Sequence, residues 1–412
     1  MSLRPLLTSL FLAGVDAASA PTALGGRLPS TPARGRTIVL GCGKAAAAMA
    51  EVAAAELPGE VIGCVVTRYG HGARGDTGGI EVIEASHPVP DSASLTAGET
   101  IRRLAGTAAP GDRVVFLISG GGSALLCQPI PGLFLPMKAR ITDHLVKSGA
   151  PIGEINLVRR HLSQVKGGRL AAAAAEAAGD MHTFLISDVA GDDPAAIASG
   201  PSIAAPFEPQ RALDILEHYG WEVSPGLAQA VLNWNGVDAP IHPVEIVANG
   251  RTALDAVERA ARAQGWNVIR PGDELTGDAT ETGRDHAALA LDLASRPGRH
   301  LILTGGELTV RVKATDGRGG PNLEYLTRLM AGLPDGAPIA ALAGDSDGID
   351  GSEDNAGGYF DSDVRAPAQA CFDALAGNRS YDLFDSFGGL IKTGPTRTNV
   401  NDIRMIAVGD ST

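Results

Sequence analysis

Aromatic residues make up only 4% of the 412-residue chain, too few for a surface that stacks nucleobases along a strand. Cysteine is scarce as well: Cys42, Cys64, Cys127 and Cys371 are scattered, and no two form a CxxC pair. Their spacing excludes a disulfide-built secreted scaffold and a thiolate zinc site, and leaves the reduced thiols expected of a cytoplasmic protein. Positive charge is in deficit, with 34 Lys+Arg against 47 Asp+Glu and a formal net charge of −13. A field of that sign repels nucleic acid and anionic membranes, so neither is an expected partner, and any small anionic ligand must be met by a local cluster of cations or backbone N–H groups. No stretch approaches the roughly 20 apolar residues of a membrane span. The nearest, LLTSLFLAGV at 6–15 between an arginine and AASA, imitates a short signal peptide. Leu6/Leu10 and Leu7/Phe11/Val15 nevertheless recur at i, i+4, with Thr8, Ser9 and Asp16 interrupting the run, so an amphipathic first helix is expected.

What the chain has in quantity is glycine, 53 residues without a G-X-Y period, in a composition that is 44% hydrophobic. That excludes collagen and a simple helical bundle and points to turns and close backbone approaches. The length allows two or three domains with a large core. Short β-branched runs at 37–41, 61–67, 113–119, 183–187, 244–248, 300–304 and 338–343 alternate with helical patterns at 44–56, 92–106, 168–178, 251–264 and 278–294. The alternation predicts α/β layers with largely parallel sheets. A Trp/Pro/Gly-containing stretch at 219–242 breaks the rhythm and is the expected linker, dividing the chain into domains 1–235 and 236–412.

The strand ends carry the chemistry. They run into GCGK (41–44), SGGGS (119–123), SDVAGDD (187–193), NGR (249–251), TGGE (304–307) and GDSDG (344–348), and in open parallel sheets ligands bind at such carboxyl ends. Gly41-Cys42-Gly43-Lys44 is neither a P-loop nor a complete dinucleotide fingerprint: Ala45 follows the lysine, Ala46 replaces the third glycine, and Val66-Thr67-Arg68 ends the next strand without an acid for an NAD ribose. NADP stays open through Arg68. What remains is Lys44 at a helix N-terminus, where ammonium and macrodipole both favour an anion. Ser119, Gly120, Gly121, Gly122 and Ser123 form the candidate phosphate loop. Residues 156–169, NLVRRHLSQVKGGR, hold four cations and no acid; Asn156, Arg159 or Arg160, Ser163 and Lys166 or Gly167 share one face at helical spacing, which fits either an anionic substrate or a solvated basic face. Strand-end aspartates suit Mg²⁺, which takes one or two carboxylates plus phosphate oxygens. Asp188, directly after TFLIS, is the candidate base or metal ligand, and Asp193 follows nearby. The segment KTGPTRTNVND (392–402) is rich in hydroxyls and amides and suits either a polyhydroxy acid or a hairpin loop.

Taken in order, GCGKA, SHPVPD, ISGGGSAL, NLVRRHLSQVKGGRLA, ISDVAGDDP, IASGPS, TGGELTV, GRGGPNLE, GDSDGIDG and KTGPTRTNVND resemble the bacterial-type glycerate 2-kinase family, whose members are sometimes labelled hydroxypyruvate reductases. The resemblance spans nearly the whole chain. It implies two Rossmann-like three-layer α/β domains with an inter-domain cleft, and transfer of a phosphoryl group from ATP, with Mg²⁺, to O2 of D-glycerate. On that footing Lys44 and Asp188 are expected to be catalytic, and residues 119–123 with Gly305, Glu307 and Asp345 to hold the nucleotide. His87, Asn156, Arg159, Lys166, Thr396 and Asn399 are expected to hold the acid, and Asp188 and Asp193 the metal. A homodimer is compatible with this picture. Two departures bear on the acid accepted: the family's GGRNQE is Gly319-Gly320-Pro321-Asn322-Leu323-Glu324 here, and its TGPTGTN carries Arg397. Arg397 or Arg318 is then the candidate to supply the missing guanidinium. An NAD(P)H-dependent reductase and a non-catalytic sugar-acid sensor are the competing readings.

Overall fold

A computed structural model describes residues 2–177, 179–314 and 316–409. The chain divides into two compact units, one formed by Ala23–Val247 and the other by the first 22 residues together with Ala248–Thr412.

The first unit carries a six-stranded sheet. Its strands are β1 (Thr37–Cys42), β2 (Val61–Arg68), β3 (Ile80–Ala85), β4 (Arg113–Ser119), β5 (Met181–Ile186) and β6 (Val244–Ala248), in the order β3-β2-β1-β4-β5-β6. β1 runs parallel to β2 and β4, β2 parallel to β3, and β4 parallel to β5. Every residue of β1 and β4 is buried, as befits strands covered on both faces. Ile38, Leu40 and Cys42 share a core with Ala97, Ile101 and Ala105 of the helix Ser92–Ala105. The Ala-rich helix Ala46–Glu56 also packs on β1, β2 and β4. Four further helices, Leu135–Lys147, Ile152–His161, Pro209–His218 and Pro225–Leu232, close around a satellite core that includes Ile141, Leu145, Leu157, Leu213 and Leu216.

The second unit orders its strands β11-β10-β9-β12-β8-β7, from β7 (Asn267–Leu275), β8 (His300–Gly306), β9 (Ile339–Asp345), β10 (Gly357–Phe360), β11 (Leu390–Ile391) and β12 (Asp402–Val408). Only β7 and β8 pair in parallel; β12 is antiparallel to both β8 and β9, as β10 is to β9 and β11. The expectation of largely parallel sheets therefore fails here. A parallel crossover needs a long connection, usually a helix, and no helix separates β9 from β10 or β11 from β12.

All seven expected strands form, within two residues of the expected ends at most of them. The expected helix 168–178 is broken into Arg169–Ala173 and a short 3₁₀ turn, Ala175–Ala177, and position 178 lies outside the described residues. The first helix forms over Arg4–Ala17 and buries Leu7, Leu10, Phe11 and Val15. It packs against the second unit's own elements: a Cβ on Gly14 would come 2.8 Å from Ile403 Cδ1 and 2.9 Å from Val257 Cγ2. The expected boundary at 235/236 thus differs from the observed division in two ways, because the opening helix sits with the C-terminal half and β6 completes the first sheet. Nor is 219–242 a linker. Trp221, Val223 and Trp234 pack on the satellite core, and the Arg169 guanidinium lies 4.8 Å from the Trp234 ring centre.

Candidate active site

Strand order in the first sheet reverses direction between β1 and β4, which face each other in register from Thr37↔Arg113 to Cys42↔Ile118. The reversal leaves a crevice at the carboxyl ends of these two strands, and there both glycine loops emerge. They are stitched together: Lys44 N donates to Gly120 O at 2.9 Å, and Ala45 N to Ser119 Oγ at 3.0 Å. Gly121 has φ +78°, and a Cβ there would lie 3.2 Å from both His87 Nε2 and Lys44 Cγ. At Gly122 an added Cβ would stand 2.7 Å from Cys42 Sγ and from Ala198 Cβ. Glycine suits Gly121 through its left-handed backbone and Gly122 on steric grounds, because a side chain at 122 would displace Ala198 or Cys42. His87 itself lies two residues beyond the end of β3, at the same edge of the sheet.

Around this loop runs a chain of short polar contacts. Ser123 Oγ and Ser199 Oγ are 2.8 Å apart, Ser199 Oγ donates to Asn156 Oδ1 at 3.2 Å, and Arg159 Nη1 donates to the same oxygen at 3.4 Å. Ala198 and Ser199 are both left-handed, with φ of +53° and +62°, a conformation that costs a non-glycine residue about 1–2 kcal/mol. The strained turn presents Ala198 O to Lys166 Nζ at 3.3 Å while turning Ser199 toward the loop.

The electrostatics are one-sided. Lys166 is wholly buried, and burial, reinforced by Lys138 and to a smaller extent Arg159, lowers its pKa to about 7, with the thiols of Cys42 and Cys127 acting the other way. Lys138 is buried too, donating to Cys127 Sγ at 3.4 Å, and burial holds its pKa below the usual lysine range. Burial likewise lowers that of Arg159. Burial raises the Cys42 thiol to about 12, so it stays neutral. No carboxylate figures among the groups acting most strongly on these three cations. An anion at this crevice would relieve the cost of holding these cations.

Lys44, His87, Asn156, Arg159, Lys166 and the 119–123 loop are therefore brought together. Asp188 leaves the sheet at the same edge, since β4 and β5 are paired up to Ser119↔Ile186. Asp193 is exposed, and one of its carboxylate oxygens accepts from Ala195 N at 3.0 Å, an Asx turn. The basic cluster does not act as one helical face. Its helix ends at His161, and Ser163 bridges to Pro129 instead. His161 is internal, accepting from Glu208 N at Nε2, and Arg169 donates to Asn235 O. Lys138 and Ser199 were not singled out from sequence. Lys138 had a signal: it shares the apolar stripe of its helix with Ile141 and Leu145.

The remaining expected residues lie in the second unit, gathered at one edge of its sheet. Gly305 O accepts from Arg404 Nη1 at 2.8 Å, and Glu307 is exposed. Asp345 Oδ1 accepts from Asp347 N at 2.8 Å, Thr396 Oγ1 donates to Ser346 O, and Asn399 Oδ1 accepts from Asn401 N at 3.4 Å. Pro321 occupies the first turn of the helix Pro321–Ala331, where a missing N–H costs nothing, and the N–H groups of Asn322 and Leu323 go to the two Asp350 oxygens at 3.0 and 2.9 Å. Arg318 is engaged by Glu353 and Asp382 and stacks 4.4 Å from the Tyr381 ring centre, so its charge is already neutralised. Arg397 holds φ +61°, which explains why glycine suits that position. Among the described residues no group of three or more His, Cys, Asp or Glu is placed to hold a metal.

Residues 6–233 match a family described as a domain of unknown function (DUF4147), and residues 300–402 match the MOFRL family. A protein of Agrobacterium vitis with the provisional name hydroxypyruvate reductase is 44% identical, over 99% of this chain and 95% of its own. The D-glycerate 2-kinase of Thermotoga maritima is 36% identical over 89% of each chain. The crystal structure of a glycerate kinase from the same organism superposes with a TM-score of 0.86 at 34% identity, covering 99% of both chains.

Proposed function

The chain belongs to the glycerate kinase family that joins a DUF4147 domain to a MOFRL domain, and from that premise we propose that it is an ATP-dependent kinase that phosphorylates D-glycerate at O2. The observation that carries this reading is the cluster of two buried lysines, Lys138 and Lys166, and the half-buried Arg159, with no carboxylate paired to them among the described residues, set beside a triglycine loop at the switch point of a parallel sheet. In the reaction the O2 hydroxyl loses its proton, a bond from O2 to the γ-phosphorus forms, the bond to the β,γ-bridging oxygen breaks, and ADP departs. Such transfer asks the protein mainly for positioning and charge stabilisation.

In this reading Lys44 stabilises the transferring group, while the 119–123 loop lines the phosphate path. Arg159 and Lys166 hold the substrate carboxylate or the phosphates, with His87 and Asn156 beside them, and Asp188 orients or deprotonates the hydroxyl. Mg²⁺ would take Asp188 and Asp193 together with phosphate oxygens, and would neutralise phosphate charge. A site of few protein ligands suits that ion, which keeps phosphate and water oxygens about it. Gly305, Glu307 and Asp345 remain the second unit's candidates for the nucleotide, and Thr396 and Asn399 its candidates for the acid. Four unpaired, buried cysteines fit a cytoplasmic setting, and among the described residues no helix is long and apolar enough to cross a membrane.

The test is incubation with ATP, Mg²⁺ and D-glycerate, with phosphorus NMR resolving 2- from 3-phosphoglycerate. Formation of 2-phosphoglycerate is expected. NADPH oxidation by hydroxypyruvate in a parallel incubation, with no phosphorylated acid formed, would replace the kinase by the reductase.

A further inference from the structure

A cavity of about 210 Å³ opens beside Ser123, between the Pro88-Val89-Pro90 segment and the helix Leu135–Lys147. Its two ends differ. At the outer end stand Val89 and Val146, exposed at 62% and 56%, with Pro88, Pro90 and Ala139 completing an apolar slot. The inner end is cationic, with Lys138 buried at 5% exposure and Arg159 next to it, and Ser123 joins it to the triglycine loop. Asp143, on the rim and paired with Lys147 at 2.8 Å, adds a negative group at the solvent side.

We propose that this cavity seats the nucleoside of the phosphoryl donor, base between Pro88–Pro90 and the face carrying Ala139 and Val146, with the phosphates running inward past Lys138 toward the 119–123 loop. The assignment rests on the kinase reading above and fixes which unit holds the nucleoside. A three-carbon hydroxy acid has no apolar face to match the slot, whereas a purine nucleotide is flat and weakly polar at one end and polyanionic at the other. The rim carboxylate, paired with Lys147, keeps lone pairs that accept from ribose hydroxyls or an exocyclic amine, and the buried cation at the inner end sets the ligand's direction. Lys138 thereby becomes a phosphate-binding residue for which the sequence motifs had no place.

Ala139→Trp and Val146→Trp fill the slot from a partly exposed helix face. Steady-state kinetics should show the KM for ATP rising about tenfold or more in each, with the KM for D-glycerate within about twofold of wild type. Direct titration with a fluorescent ADP analogue should show the same loss of affinity, with the melting temperature retained. A rise in the D-glycerate KM alone would assign the cavity to the acid and overturn the proposal, as would unchanged constants for both substrates in a folded variant. Wild-type protein that binds the analogue through this slot yet forms no phosphorylated acid would refute the kinase reading and leave the nucleoside site standing. Wild-type protein that does neither would remove both.

Discussion

The two units treat buried positive charge in opposite ways. In the second, Arg404 is wholly buried and donates to the Asp402 carboxylate and to Gly305 O and Gly306 O, while Arg270 is held by Asp255, Glu258 and Asp273. Every one of these charges is answered within the protein. In the first unit, pairs such as Arg113–Asp180 and Arg36–Asp112 are answered too, but at the crevice Lys138 donates to the Cys127 sulfur, Arg159 to the Asn156 amide oxygen and Lys166 to the Ala198 carbonyl, and among the described residues none of the three is paired with a carboxylate. A paired buried cation is part of the scaffold, and removing its partner strands it. An unpaired one is held at a cost to the empty protein and is relieved when an anion arrives. The contrast marks the crevice cations as candidates for binding without reference to any motif.

The largest effect should come from breaking a matched pair. Asp402→Ala leaves Arg404 buried without its carboxylate and deprives Asn322 Nδ2 of an acceptor at 2.7 Å, so unfolding in urea should show a loss of about 3–5 kcal/mol. Lys44→Ala should act on chemistry instead, lowering kcat by about 10²–10³ with the thermal midpoint retained; wild-type turnover would remove Lys44 from the mechanism. Lys166→Met sharpens the comparison through its sign. Deleting an unanswered buried amine should stabilise the ligand-free protein at pH 7, seen as a raised urea midpoint, yet weaken anion binding about tenfold or more.

The same lysine predicts a pH dependence. Its folded pKa, near 7, lies below the roughly 10.4 of an unfolded lysine, so between those values the unfolded chain binds more protons and stability rises with pH. Lys166→Met should lose that rise, as measured by urea midpoints from pH 7 to 10. Binding of an anion at pH 8 should draw in up to about one proton, read as a buffer-dependent calorimetric enthalpy that the variant lacks. The smallest effect concerns Arg397. Relieving its left-handed backbone with Arg397→Gly should add about 0.5–1 kcal/mol. If catalytic efficiency then stays unchanged, Arg397 does not replace the guanidinium absent at Pro321.

The central strands were legible in the sequence because covered parallel strands require unbroken β-branched runs, as in TIVLG and RVVFLIS. The edge strands β3, β7 and β11 were not, although β6 was. β3 reads IEVIEA, its apolar run broken by the exposed Glu81 and Glu84, and β7 contains Pro271-Gly272 and shifts register there, a disruption tolerated only at an edge. The direction of β12 escaped because an apolar run carries no direction; the missing crossover helices carried it instead. At the site, the two glycine loops and the 156–166 cations were visible as motifs. Ser199 was invisible because its placement depends on a left-handed backbone that serine does not advertise. Lys138 lies on the face of a helix in a different segment of the chain and meets the site only through the fold.

Because the opening helix belongs to the second unit while residues 23–247 form the first, one unit is inserted into the other along the chain. The order of synthesis then differs from the order of assembly. Leu7, Leu10 and Phe11 leave the ribosome before the inserted unit, yet Val257 and Ile403, against which their helix closes at Gly14, are made only after the whole of it. The first unit has its complete sequence before the ribosome reaches the remainder of the second, and the helix Arg4–Ala17 can complete its packing only once Ile403 has been made.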